Sequence, residues 1–176
     1  MTKVVSLRRA LVFGRSHNAI SRYEGGARAL MSVAGWGHVA GAAASMVVMR
    51  AGLHYARFTL VHGVLLCCGV IRPAWNATVG WGAEQVPGHW FYRTDDWLRF
   101  PGRYPGQTAF EEGDHIGLLL DLDQGSLTVY KNDEWVGVME TPGLSGAYCW
   151  AVSTCYPGGM GYTHSPAWYE PFHQGS

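Results

Sequence analysis

The sequence predicts an all-β domain, a two-layer antiparallel sandwich, and three observations carry that expectation. Glycine (24 residues) and aromatic residues (13%, with eight tryptophans) are abundant while charged residues make up only 15%, a balance that suits short strands joined by tight turns. Several runs of six to nine residues alternate apolar with polar or small side chains, the period of a half-buried strand. No heptad pattern, long amphipathic helix or internal repeat competes with them. At 176 residues with 48% hydrophobic content, the chain is large enough to bury one self-sufficient core.

Taken in order, residues 1–30 form a basic leader or flexible extension. Residues 1–28 hold six basic groups (Lys3, Arg8, Arg9, Arg15, Arg22, Arg28) against the single acid Glu24, and this Arg-rich, acid-poor composition matches an organelle transit peptide. The competing expectation is a loosely packed extension that carries no address. From there to residue 166 the pattern is that of the sandwich, and residues 167–176 are a C-terminal tail. Residues 29–34, Val39 with its small neighbours and residues 45–49 are candidate opening strands, whereas the Gly-Ala run ending at Ala44 favours no structure.

His54 to His62 (HYARFTLVH) alternates as a strand. After Gly63 comes the nearly all-apolar run Val64 to Ile71, which suits the middle of a sandwich. These two are expected to pair as an antiparallel hairpin. Residues 72–107 form a long connection rich in Trp, Tyr, Arg, Gly and Pro. His115 to Leu122, the turn 123–126, Ser126 to Tyr130, the turn 131–134 and Trp135 to Met139 then form a three-stranded meander. Tyr148 to Cys155 (YCWAVSTC) adds one more strand.

The segment EEGDHIGLLLDLDQGSLTVYKNDEWVGVM, Glu111 to Met139, resembles the hallmark core of the SPRY domain family. The matching positions are Gly113, Asp114, Ile116, Gly117, Leu119, Leu120, Asp121 and Leu122, then Tyr130, Lys131 and Asn132. Upstream, MRAGLHYARFTLVHGVLLCCGVIRPAW resembles the family's Gly-x-His-Tyr strand and the strand ending in Gly-Val that follows it. Downstream, GLSGAYCWAVS resembles the returning strands. The resemblance covers roughly Gly35 to His164 and implies a bent, concanavalin-like sandwich that binds peptide or protein partners through loops at one end. Two positions depart from the family. Arg57 stands where an acid is usual, and Pro157-Gly158-Gly159-Met160 is Gly-rich where a last strand is expected.

Composition also bounds function. Outside the leader, seven basic residues face twelve acidic ones, so the body lacks the clustered cations of a nucleic-acid surface. No apolar run is long enough to span a bilayer. The four cysteines (Cys67, Cys68, Cys149, Cys155) show no metal-ligand spacing, and buried free thiols in a reducing compartment are expected. That places the chain in the cell, in the cytoplasm, with organelle targeting by residues 1–30 as the alternative. The sequon Asn76-Ala77-Thr78 has no meaning without secretion. No GxSxG, Walker, dinucleotide or HExxH motif is present.

Asp121 and Asp123, two apart, would share a strand face as glycosidase acids do, but both positions suit turn-forming carboxylates. No enzyme, catalytic residue, cofactor or metal is therefore expected. The expectation is a non-catalytic interaction module, monomeric alone or a subunit of a larger complex, acting as an adaptor or scaffold. Its partner-binding residues are Arg72, Trp75, Trp97, Tyr104 and Tyr156, since Trp, Tyr and Arg dominate interface hot spots and loops on a rigid scaffold carry recognition. A carbohydrate-binding or carbohydrate-cleaving sandwich is the rival from another class, because exposed Trp and Tyr also stack on sugars.

Overall fold

A computed structural model describes residues 12–17, 20–23, 28–31, 41–63, 66–77, 89–93, 98–99, 103–104, 111–140, 144–154 and 158–163. These form fourteen strands: β1 (Phe13–Ser16), β2 (Ile20–Tyr23), β3 (Arg28–Met31), β4 (Gly41–Ser45), β5 (Leu53–Gly63), β6 (Leu66–Ile71), β7 (His89–Arg93), β8 (Leu98–Arg99), β9 (Arg103–Tyr104), β10 (His115–Asp121), β11 (Ser126–Lys131), β12 (Glu134–Glu140), β13 (Cys149–Thr154) and β14 (Gly158–Thr163). Sheet A has the order β1-β4-β13-β6-β7-β8-β9 and sheet B the order β12-β11-β10-β5-β14-β3-β2. All pairings are antiparallel.

The period-2 alternation sorts each strand between two clusters. Toward the space between the sheets point Ala43, Ala56, Phe58, Leu60, Cys68, Val70, Ile116, Leu118, Leu120, Leu127, Val129, Trp150 and Val152, all buried in one core. Phe58 meets the Trp150 ring edge-on, centroids 6.2 Å apart at 71°, the geometry favoured by the ring quadrupoles. The alternate residues of sheet A, Ala42, Ala44, Cys67, Ile71 and Ala151, form a second buried cluster on its outer side with Trp75. Cys67 and Cys68 thus lie on opposite faces, and neither they nor Cys149 are in a disulfide. Cys155 lies outside the described residues.

The meander β10-β11-β12 forms as its alternation predicts, and several other expectations are corrected. The segment expected as a leader supplies three strands: β1 pairs β4 in sheet A, and β2 and β3 extend sheet B from β14. The boundary expected at residue 31 falls inside β3. Phe13 is fully buried in the core, and its burial outweighs the local basic composition. The expected hairpin of residues 54–62 with 64–71 is not one, because β5 lies in sheet B and β6 in sheet A.

The Gly-Ala run becomes β4, buried and paired on both sides, and residues 46–48 beyond it are not strand. The long connection after Arg72 contains β7, β8 and β9, which extend sheet A. The Gly-rich end also forms a strand, β14, inserted between β5 and β3. Among the described residues no helix is long and apolar enough to cross a membrane.

Candidate recognition surfaces

The segment most distinctive in sequence turns out to be a structural joint. Asp114 accepts hydrogen bonds from the Glu111 backbone N–H (2.8 Å) and from Asn132 Nδ2 (2.8 Å), and pairs with Lys131 Nζ at 3.2 Å. Asn132 Oδ1 in turn accepts from the His115 N–H at 2.8 Å. Burial pushes the Asp114 carboxyl up, but the hydrogen bonds from Glu111, Asn132 and Lys131, with the Lys131 charge, outweigh it and hold the group below its ordinary value. Asn132 and Asp133 both have positive φ (49° and 68°), the conformation required by a two-residue turn between twisted strands. The Tyr55 ring lies across Gly117, where a Cβ would meet the Tyr55 hydroxyl and the ring would have to move.

The carboxylate pair singled out from the sequence is engaged in turns. Asp121 Oδ1 accepts from the backbone N–H groups of Asp123 and Gln124, each at 2.9 Å, and Asp123 Oδ1 accepts from Gly52 N–H at 3.1 Å. Both side chains fix the β10–β11 turn against the start of β5. No group of three or more His, Cys, Asp or Glu side chains is placed to hold a metal among the described residues.

Of the five expected partner-binding residues, Arg72 and Trp75 lie together just after β6. Arg72 Nη1 donates to the carbonyls of Ser145 (2.6 Å) and Ala147 (3.3 Å), and its guanidinium sits 4.1 Å from the centre of the Tyr148 ring, a cation–π distance. Trp75 is 6% exposed and packs on the outer side of sheet A. Its Nε1 is buried with no hydrogen-bond partner among the described residues. Arg15, from the segment expected as a leader, donates to the carbonyls of Pro73 (2.5 Å) and Trp75 (3.5 Å) and approaches Cys149 Sγ at 3.7 Å. Burial raises the Cys149 thiol, and the nearby Arg15 and Arg50 charges only partly offset this. Two arginines therefore clamp this corner through backbone carbonyls, a role that planar, multi-donor guanidinium groups fill well.

Tyr104 belongs to β9, and its side chain lies outside the described residues, as do Trp97 and Tyr156 altogether. The strands around these three turn at the other end of sheet A from Arg72. In sheet A, Leu66 of β6 pairs with Thr154 and Cys67 with Arg93, while Ile71 pairs with Cys149 and His89. The β7–β8 and β13–β14 connections, which carry Trp97 and Tyr156, thus leave from the Leu66 end, and Tyr104 pairs with Leu98 at the level of Tyr92. The β3–β4 and β5–β6 connections leave from that end too, because Met31 and Gly63 both pair with Gly158, and Gly41 pairs with Thr154. Arg72 and Trp75, by contrast, lie just beyond the Ile71 end of β6.

Sequence reasoning passed over a second surface. On the outer side of sheet B, Trp135 is 66% exposed and Val138 40%. Three residues apart in a regular strand, they would face opposite ways. A bulge opposite Val129 and Tyr130 pairs Trp135 with Tyr130 and Gly137 with Val129. Val136 packs toward the core, and the extra residue returns Trp135 and Val138 to one face. Arg57 lies on the same side of β5 and pairs with Asp133 at 3.5 Å.

Neither a family model nor a curated protein sequence matches the chain. Solved structures do. The SPRY domain of human HERC1 superposes with a TM-score of 0.68 at 17% identity, over 84% of this chain and 93% of that one. The TRIM65 PSpry domain gives 0.65 at 16% identity, over 89% and 90%. The fold is the SPRY fold. Stonustoxin gives 0.64 at 14% identity, over 88% of this chain and 27% of the toxin's, so this SPRY sandwich resembles a quarter of a larger protein. The expectations of an all-strand chain, two antiparallel sheets and a SPRY-type sandwich are met.

Proposed function

We propose that this SPRY sandwich is a non-catalytic interaction module that holds a peptide or protein segment at the Leu66 end of sheet A. The observation that carries the reading is convergence. The strand ends from which the connections β3–β4, β5–β6, β7–β8 and β13–β14 leave all lie at that end, and in sequence two of these connections contain Trp97 and Tyr156, with Tyr104 of β9 close in level. Adjoining loops on a rigid scaffold make a preformed site. Arg72 and Trp75 support the opposite corner and are not contact residues in this reading.

A binding role without turnover accords with the engagement of Asp121 and Asp123 in turn hydrogen bonds. An intracellular location accords with three buried cysteines that form no disulfide. The test is affinity capture followed by mass spectrometry, comparing the wild type with Trp97→Ala/Tyr156→Ala and with Arg72→Ala, each checked for folding by circular dichroism. Partners lost with the first variant and kept with the second are the expected result. Equal retention by all three would remove the Leu66 end from consideration.

A further inference from the structure

We infer that β12 is a second docking edge, which takes up an extended, basic segment of another protein as an added strand. Each sheet ends in two terminal strands. Sheet A ends in β1 (4 residues) and β9 (2 residues), and sheet B in β2 (4 residues) and β12 (7 residues). Short termini offer little to pair with. A seven-residue edge whose outer side pairs with no described strand presents a row of backbone donors and acceptors. Natural edges of this length are usually blunted by charged side chains (Lys above all), by Pro, by bulges or by a covering segment. β12 (EWVGVME) contains no Lys or Pro, and it displays Trp135 and Val138 on one face.

A bulge can turn an edge away from pairing, but this one lies near the start of β12 and leaves Gly137 to Glu140 in regular register with Val129 to Ser126. It keeps Val136 on the core and turns both large apolar side chains outward beside the open edge. An added strand would thus find backbone partners and two apolar contacts for its alternate side chains, the arrangement of strand-addition recognition.

Charge selects the occupant. Around the turn where β12 begins stand the carboxylates of Asp114, Asp133 and Glu134, of which Asp114 pairs with Lys131 and Asp133 with Arg57. Glu140 ends the strand. A second copy of this chain is a poor partner, since antiparallel pairing of β12 with itself about Gly137 sets Glu134 opposite Glu140, and like charges facing across a ladder are destabilising. A segment with apolar residues alternating with and flanked by Lys or Arg meets both the apolar pair and the acidic ends. In sheet B, β12 is three strands away from β5, and docking on it does not rest on the loop-end reading.

The test is selection of a phage-displayed library of random short peptides on the wild-type protein. The selected peptides are then measured by fluorescence anisotropy against the wild type, Trp135→Lys/Val138→Lys, and Trp97→Ala/Tyr156→Ala. The first pair of substitutions is on exposed side chains, and thermal unfolding confirms that the fold is retained. The expected result is enrichment of Lys and Arg alternating with apolar residues. Binding should weaken by about tenfold or more with the Lys pair and on N-methylation of alternate peptide nitrogens, but not with the loop-end pair. Enriched peptides without basic residues, or unchanged binding by the Lys pair, would overturn it. So would a concentration-dependent dimer in sedimentation that the Lys pair abolishes, which would assign the edge to self-association. Peptides that respond only to the loop-end pair would support the loop-end function and reject this one.

Discussion

The outer faces of the two sheets are built from opposite materials. On sheet A the outward residues of β4, β6 and β13 are Ala42, Ala44, Cys67, Ile71 and Ala151, nearly all small, and all are buried. On sheet B the outward residues of β12 are Trp135 and Val138, large and open to solvent. Small side chains let another layer approach closely, and Trp75 takes that place on sheet A, held by the Arg15 and Arg72 clamps around it. Residue size alone therefore misleads in both directions: the alanine-rich face is covered, and the aromatic one faces water.

That contrast can be broken or sharpened by substitution. The largest effect is expected for Trp75→Ala, which removes a buried indole from the outer side of sheet A and should cost about 3–5 kcal/mol in urea unfolding. A loss below ~1 kcal/mol would mean that the face does not depend on its indole. Next comes Ala151→Leu, which forces extra methylenes between β13 and the Trp75 layer. It should cost about 1–3 kcal/mol by overpacking, and a neutral result would show an open face.

A pH dependence follows from the joint at the edge of sheet B. Asp114 is held below its ordinary value of 3.8 in the fold. Its contribution is therefore complete above that value and is lost as pH falls through the lower folded value. Asp114→Asn should be less stable than wild type near neutrality, with the gap narrowing as pH falls below 3.8 and through the lower folded value. A gap constant with pH would show that the carboxylate's charge does not matter there. The smallest effect is expected for Trp135→Ala, within ~0.5 kcal/mol in the same unfolding measurement because the ring is mostly in water. A larger loss would mean that the two outer faces are less different than their exposures indicate.

Much of the fold was legible in the chain. The meander from His115 to Glu140 is a run of local pairings set by alternation and by turns that need Gly125, Asn132 and Asp133 at positive φ. The Gly113-Asp114 and Lys131-Asn132 pairs marked the joint before its hydrogen bonds were seen. Legibility stopped where pairing became non-local. Adjacent runs such as β5 and β6 satisfy the hairpin pattern equally well in one sheet or in two. The basic residues of the first thirty positions describe composition, not where Phe13 and its neighbours find a ladder. The site was less legible still, because the long connection after Arg72 carries the strands β7, β8 and β9, which run back and forth along sheet A, and proximity in sequence does not say at which end each of its residues lies.

By itself, then, the sequence determined the all-strand class, the meander and its turns, and the division of each strand into two faces, since these depend on period and on backbone preferences a few residues apart. Only the tertiary structure decided which sheet each strand joins, that the basic N-terminal segment is woven into both sheets, and which aromatics are buried. Those outcomes depend on partners far along the chain. β14 fits between β5 and β3, and Trp75 finds a bed of alanines drawn from β4 and β13, and no local pattern encodes where such a partner will be.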